Sequence, residues 1–257
     1  MFNLNEGLWY YIIVVLNNNQ TKPWFYILLT VSFAVISALV GYLLGSINSA
    51  IIVSRVFYRD DIRRHGSGNA GLTNILRTYG KKAALCTLLG DVLKTVIAIF
   101  IACVLGGFQY FGGISVGGYT CDIPLGYLAG LFVVIGHIFP VYYNFKGGKG
   151  VLCTATIALV LTPIEFLILI TVFIVIVATS KYVSLGSVAA GVLYPVTVAG
   201  HMALLAKYGI ALNGIMALVT ILLAILIVYC HRGNLKRISE GTERKLSFGS
   251  KKNGGDK

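Results

Sequence analysis

Five stretches without Asp, Glu, Lys or Arg run through this chain, at 23–54, 95–121, 123–145, 182–206 and 208–230. Each is long enough to cross the hydrocarbon core of a bilayer, which takes about 20 apolar residues in a helix. Of the 257 residues, 57% are hydrophobic and 12% charged, about half the charge of a typical soluble domain. An ordinary cytosolic domain, a disordered chain and a surface-bound peripheral protein are thereby excluded. The expectation is an all-α, polytopic membrane protein forming a single integral domain over 1–257, with an N-terminal extension at 1–22 and a tail at 232–257.

Lys and Arg number 21 against 9 Asp and Glu, a net charge of +12. A nucleic-acid binder would also be basic but would not commit most of its length to lipid, so no nucleic-acid partner is expected. The basic residues fall between apolar runs, at 55–82, 146–149 and 232–257, and such clusters mark cytoplasmic loops. Spans are expected at about 24–45, 83–105, 124–143, 184–205 and 210–230, with Trp24 and Tyr26 as interface anchors and 8–16 as an interfacial helix. Residues 106–122, with six glycines and no Lys or Arg, read as an external loop.

The stretch 151–180 decides the parity. As one straight helix it would reach about 45 Å at 1.5 Å per residue, but Pro163 interrupts it, and proline breaks or kinks a helix. Two short helices, 151–162 and 164–180, that return to the side they left put 18 of the 21 Lys and Arg residues on the cytoplasmic side. Lys22 and Lys207 then face outward and Lys94 lies within a span. The result is about seven transmembrane helices including two short ones, with the N-terminus outside.

Three polar segments lie on the cytoplasmic side. The first, Arg63-Arg64-His65-Gly66-Ser67-Gly68-Asn69-Ala70-Gly71-Leu72-Thr73-Asn74-Ile75-Leu76-Arg77, carries glycines that let successive N–H groups curl around an anion. A helix starting at Thr73 or Asn74 would strengthen that site, and Arg77 supplies a fork for phosphate. A plain Gly-Asn turn between spans is the other reading.

The second is Gly136-His137-Ile138-Phe139-Pro140 followed by Phe145-Lys146-Gly147-Gly148-Lys149-Gly150, which lacks the spacing of a nucleotide P-loop. It reads as an anion site or as a positive-inside turn. The third, His231-Arg232-Gly233-Asn234, places His231 and Asn234 on one helix face if the last span continues. Asp91 and Lys94, three apart in a span, read as an ion pair. Glu165 fits the first turn of a short helix. His201, without polar neighbours in sequence, and the five cysteines, without metal or redox spacing, read as structural.

Together these segments resemble the PlsY family of bacterial acyl-phosphate-dependent glycerol-3-phosphate acyltransferases. The resemblance covers about 41–245 and rests on Gly45-Ser46-Ile47, Gly66-Ser67-Gly68-Asn69 through Arg77, Gly90-Asp91 with Lys94, and Gly136-His137 with Phe139-Pro140. It continues through Phe145 to Val151, Tyr182-Val183-Ser184-Leu185, and His231-Arg232 with Asn234-Leu235, Arg237 and Gly241-Thr242-Glu243. Asn48 stands where the family usually has Pro, Leu152-Cys153-Thr154 replaces a common Ala-Thr, and Gly233 replaces a frequent Glu.

The resemblance implies acyl transfer from acyl phosphate to the 1-hydroxyl of sn-glycerol 3-phosphate at the cytoplasmic face of the bacterial inner membrane. The product would be the phospholipid precursor lysophosphatidate. On the matching positions it implies catalytic roles for Ser67, Arg77, Lys146, His231 and Asn234. Substrate contacts are expected from Gly66, Gly68, Asn69, Thr73, Asn74, His137, Ser184 and, in second rank, Lys149. Acyl phosphate, glycerol 3-phosphate and membrane lipid are the expected partners. No cofactor, metal or covalent acyl-enzyme is expected, and the oligomeric state stays open, a monomer being compatible. A transporter for a phosphorylated anion is the rival, since half-helices around Pro163 would suit one. A CDP-alcohol phosphotransferase is disfavoured by the absence of its D-G-x-x-A-R signature.

Overall fold

The computed structural model describes residues 23–106, 114–116, 119–121, 124–206 and 214–246, together with Leu8 and Ile12. Apart from Leu8 and Ile12, the proposed interfacial helix at 8–16 lies outside the described residues, as do the side chains of Trp24 and Tyr26 and residues Lys22 and Lys207.

Helix α1 (Pro23–Ser46) starts on a proline, whose fixed φ and missing N–H suit the first helical position. It stops short of the end of its charge-free run, because Ile47 and Asn48 leave helical geometry and α2 (Ser49–Tyr58) begins afresh. Asn48 caps α2: its Oδ1 accepts from the Ile51 N–H at 3.0 Å, while its Nδ2 donates to the Ala70 carbonyl at 3.2 Å. A proline at this position could make neither bond.

Helix α3 (Leu72–Gly106) begins earlier than the expected span, and Gly80 (φ 85°, ψ −170°) divides it into a short first piece and a long apolar one. A short antiparallel hairpin, β1 (Ile114–Val116) with β2 (Tyr119–Cys121), occupies the stretch read as an external loop, a small departure from an all-α chain. Then follow α4 (Leu125–Ile138), α5 (Val151–Leu161), α6 (Pro163–Ser180), α7 (Val183–Ala206) and α8 (Gly214–Ser239).

Among the described residues six helices are long and apolar enough to cross a membrane, and α5 is a seventh, shorter apolar helix. Their outer faces carry large exposed hydrophobics such as Ile27, Leu89 and Ile225, as lipid requires. This is a multi-pass integral membrane protein. The turn at Thr162–Pro163 brings α6 back: Lys149 before α5 reaches Asn234, and the Lys181 carbonyl after α6 accepts from the Leu246 N–H at 2.7 Å. Both ends of 151–180 thus meet the C-terminal segment on one side.

In lipid no hydrophobic force drives helices together, so close backbone approach must hold them. Helices α1 and α4 meet this way. A Cβ on Gly45 would lie 2.7 Å from the Val133 Cα, and one on Gly136 would lie 2.8 Å from the Ser46 nitrogen. The core then fills with Tyr127, Ile157, Tyr194 and Leu223.

One residue read as isolated is not. His201 on α7 pairs through Nδ1 with Glu165 Oε1 in the first turn of α6, a contact between positions 36 apart in sequence.

Candidate active site

The Gly-rich segment folds around Asn74. Its buried amide Oδ1 accepts from the Ser67 N–H at 3.2 Å, and its Nδ2 faces the carbonyls of His65 and Asn69 at 3.0 Å each and of Ile62 at 3.3 Å. The chain closes on that amide because Gly66 and Gly68 adopt left-handed φ values of 58° and 70°. A Cβ on Gly66 would overlap the Asn74 Oδ1. Asn74 thus spends its hydrogen-bonding capacity shaping the turn. The Ser67 and Thr73 side-chain hydroxyls, by contrast, have no partner among the described residues, nor do the backbone N–H groups of Leu72 and Thr73 at the start of α3. Free N–H groups at a helix start attract anions.

A clamp holds this turn against the loop after α4. Arg63 binds Asp61 through Nε at 2.9 Å and a terminal nitrogen at 2.7 Å, and donates to the carbonyls of Tyr143 at 3.1 Å and Lys146 at 3.3 Å. The Arg63 hydrogen bonds hold the Asp61 carboxyl well below the usual carboxylate range against the opposing effect of burial. The loop itself folds back on α4 through Gly147 N–H to Ile138 O at 3.1 Å and Gly148 N–H to His137 O at 2.9 Å.

Beneath lies a buried ionic network. Lys94 Nζ bonds Asp91 Oδ1 at 2.9 Å, His137 Nδ1 at 3.0 Å, and the carbonyls of Gly45 at 3.0 Å and Ile47 at 2.8 Å. Ser49 donates to Asp91 Oδ1 at 3.0 Å. The expected Asp91–Lys94 pair is present, and the ammonium also satisfies carbonyls freed where α1 breaks.

The third cluster centres on Glu243. Its Oε1 accepts from Asn234 Nδ2 at 2.6 Å and Ser184 Oγ at 2.9 Å, and its Oε2 from Arg237 Nε at 2.8 Å. Burial alone would raise this carboxyl, but those three hydrogen bonds bring it below its ordinary value. Lys149 Nζ bonds Asn234 Oδ1, and burial pushes the Lys149 ammonium down to about 8, with Glu243 opposing. His231 is buried on α8 and donates from Nδ1 to the Ile227 carbonyl at 2.8 Å. In the neutral ring Nε2 is then an acceptor.

These clusters face one cavity of about 670 Å³. Of the thirteen residues singled out from sequence, Gly66, Ser67, Asn69, Thr73, Asn74, Arg77, His137, Lys149, Ser184, His231 and Asn234 line it. Gly68 and Lys146 do not: Gly68 turns the loop from behind, and the exposed Lys146 lies outside the lining. Of the two lysines, it is Lys149 that faces the cavity.

Asp91, Arg237, Glu243 and Arg244 line the cavity as well and were given no place in the site from sequence. Glu243 follows a Gly-Thr pair and stands among Arg237, Arg244 and Lys245, and a carboxylate directly before two cations was its signal. The other end of the cavity is apolar, formed by Phe166, Leu169 and Phe173 of α6 with Ile227 of α8.

The sequence model of the family described as glycerol-3-phosphate acyltransferase matches residues 35–241. This chain belongs to the glycerol-3-phosphate acyltransferase (PlsY) family. The acyltransferase is 42% identical over 212 residues to the glycerol-3-phosphate acyltransferase of Clostridioides difficile strain 630, covering 82% of this chain and 95% of that one. Its counterpart in Finegoldia magna is 38% identical over 214 residues, covering 83% and 96%.

Crystal structures of PlsY, an integral membrane glycerol 3-phosphate acyltransferase, superpose on the acyltransferase fold. The glycerol 3-phosphate form gives a TM-score of 0.68 at 30% identity, covering 83% of this chain and 96% of the other. The lysophosphatidic acid form gives 0.67 at 29%, covering 83% and 95%.

Proposed function

We propose that this acyltransferase moves a fatty acyl group from acyl phosphate to the 1-hydroxyl of sn-glycerol 3-phosphate, on the cytoplasmic face of a bacterial inner membrane. The observation that carries the reading is the division of one cavity into a cationic, hydroxyl-rich end and an apolar end between helices. Such a cavity suits a donor with a phosphate head and a hydrocarbon tail meeting an acceptor that is itself a phosphate.

In this reading the free Ser67 and Thr73 hydroxyls and the N–H groups at the start of α3 hold the acyl-phosphate head. Arg77, Lys149 and Arg237 hold the glycerol phosphate, Lys149 taking the contact expected of Lys146. Asn234 and Ser184 are positioned by Glu243, and Asn74 and Gly68 shape the donor loop. His231 Nε2 orients the attacking hydroxyl.

The hydroxyl oxygen bonds the acyl carbon and the carbon–oxygen bond to phosphate breaks. Phosphate leaves with the electron pair and takes the hydroxyl proton, giving 1-acyl-sn-glycerol 3-phosphate and inorganic phosphate. The protein contributes proximity and fixed positive charge, with no covalent acyl-enzyme. A transporter would need cations along a path through the bilayer, whereas these gather at one end of the cavity.

Purified protein given glycerol 3-phosphate and palmitoyl phosphate is expected to release phosphate and lysophosphatidate in equal amounts, and to form none with palmitoyl-CoA. Product from the CoA ester alone would keep acyl transfer and overturn the donor.

A second expectation concerns pH. Lys149, brought down to about 8 by burial, is charged below that value and loses its charge as pH rises through it. The ratio kcat/KM for glycerol 3-phosphate should therefore fall above pH about 8. In Lys149→Arg the fall should vanish, because guanidinium does not titrate there. An identical alkaline limb in both proteins would remove Lys149 from the phosphate site.

A further inference from the structure

The apolar end of the cavity is bounded in depth. Among its lining residues on α7, Ser184, Ser187, Gly191 and Tyr194 recur every three or four positions, as one helix face requires. They begin at Ser184, 2.9 Å from Glu243, and end at Tyr194. At 1.5 Å per residue this face is about 15 Å long. The lining of α6 stops at Phe166 and that of α8 at Ile227.

Tyr194 is 1% exposed, and its hydroxyl meets Thr162 Oγ1 at 3.0 Å in the turn between α5 and α6. Behind it stand buried Glu165 and its partner His201. Polar groups at such depth normally serve a function, and neither Glu165 nor His201 lines the cavity.

We propose that Tyr194 is the end wall of an acyl chamber and sets the longest chain this enzyme accepts. The inference rests on the acyl-transfer reading and adds to it the residue that limits the donor. Gly191 and Ala190, one turn closer to the phosphate end, leave the chamber open above the wall. A Cβ on Gly191 would already lie 3.0 Å from the Ile227 side chain.

The test is competition among octanoyl, lauroyl and palmitoyl phosphates with glycerol 3-phosphate, products being separated by mass. Tyr194→Ala should raise the palmitoyl-to-lauroyl product ratio roughly tenfold, the discrimination that a few buried methylenes supply. Tyr194→Phe, which keeps the ring, should leave the ratio unchanged. Ala190→Leu should lower the lauroyl-to-octanoyl ratio roughly tenfold, and it carries the test alone if Tyr194→Ala does not fold. Active variants with the wild-type profile overturn the wall. Wild-type protein that makes no product with any chain overturns the acyl-transfer reading beneath it.

Discussion

Arg77→Ala is expected to lower kcat/KM for glycerol 3-phosphate by about 100–1000-fold, the usual loss for one preorganised charge-stabilising donor. Its thermal midpoint in detergent should move by no more than about 2 °C. The two halves of that expectation follow from where Arg77 sits. It lies in the short piece of α3 before the Gly80 break, beside the turn that Asn74 ties down. Its guanidinium is exposed and makes one hydrogen bond among the described residues, to the Arg244 carbonyl at 3.3 Å.

With five N–H donors, the side chain has most of its capacity left for a ligand, so truncation removes little of the fold. Arg77→Lys should fall between the two, since an ammonium keeps the charge and loses the planar fork. Wild-type kcat/KM in Arg77→Ala would remove Arg77 from the phosphate site. A large drop in the thermal midpoint would make its role structural instead.

The membrane architecture was legible because its causes are local. Charge-free length and the proline at 163 act within one segment, and both the two-helix reading of 151–180 and its return to the same side follow from them. What sequence could not supply were contacts made by backbone and by distant side chains. The break between α1 and α2 falls inside a charge-free run, and its reason is Asn48 capping one helix while Lys94, 46 positions on, satisfies the end of the other.

Lys146 and Lys149 sit on the same glycine-rich loop, and composition does not say which points inward. The left-handed φ values at Asn144, Phe145 and Gly150 and the folding of Gly147 and Gly148 onto α4 decide it for Lys149. Glu243 resembles an ordinary tail carboxylate until the return of the C-terminal segment brings Ser184, Asn234 and Arg237 around it. Glu165 and His201 are as remote in sequence and become partners only because α6 and α7 run side by side.

Lys94→Met should have the largest effect on stability. The pair it breaks is almost fully enclosed, with side chains 5% and 2% exposed for Lys94 and Asp91. Removing one member of a buried pair costs about 3–5 kcal/mol, which predicts a fall of about 10 °C in the apparent midpoint in detergent. Two losses combine in that figure. Among the described residues Asp91 keeps a charge with only Ser49 hydrogen-bonded to it, His137 Nδ1 standing 3.7 Å away. The Gly45 and Ile47 carbonyls lose the donor that closes the end of α1. A second substitution, Asp91→Asn, removes the stranded charge but cannot restore that donor. The double variant should therefore recover part of the lost midpoint and no more, a non-additivity expected of residues in one network. An unchanged midpoint in Lys94→Met would show that the network is not what holds α1, α3 and α4 together. Full recovery in the double variant would show that charge alone matters and that the helix break needs no cap.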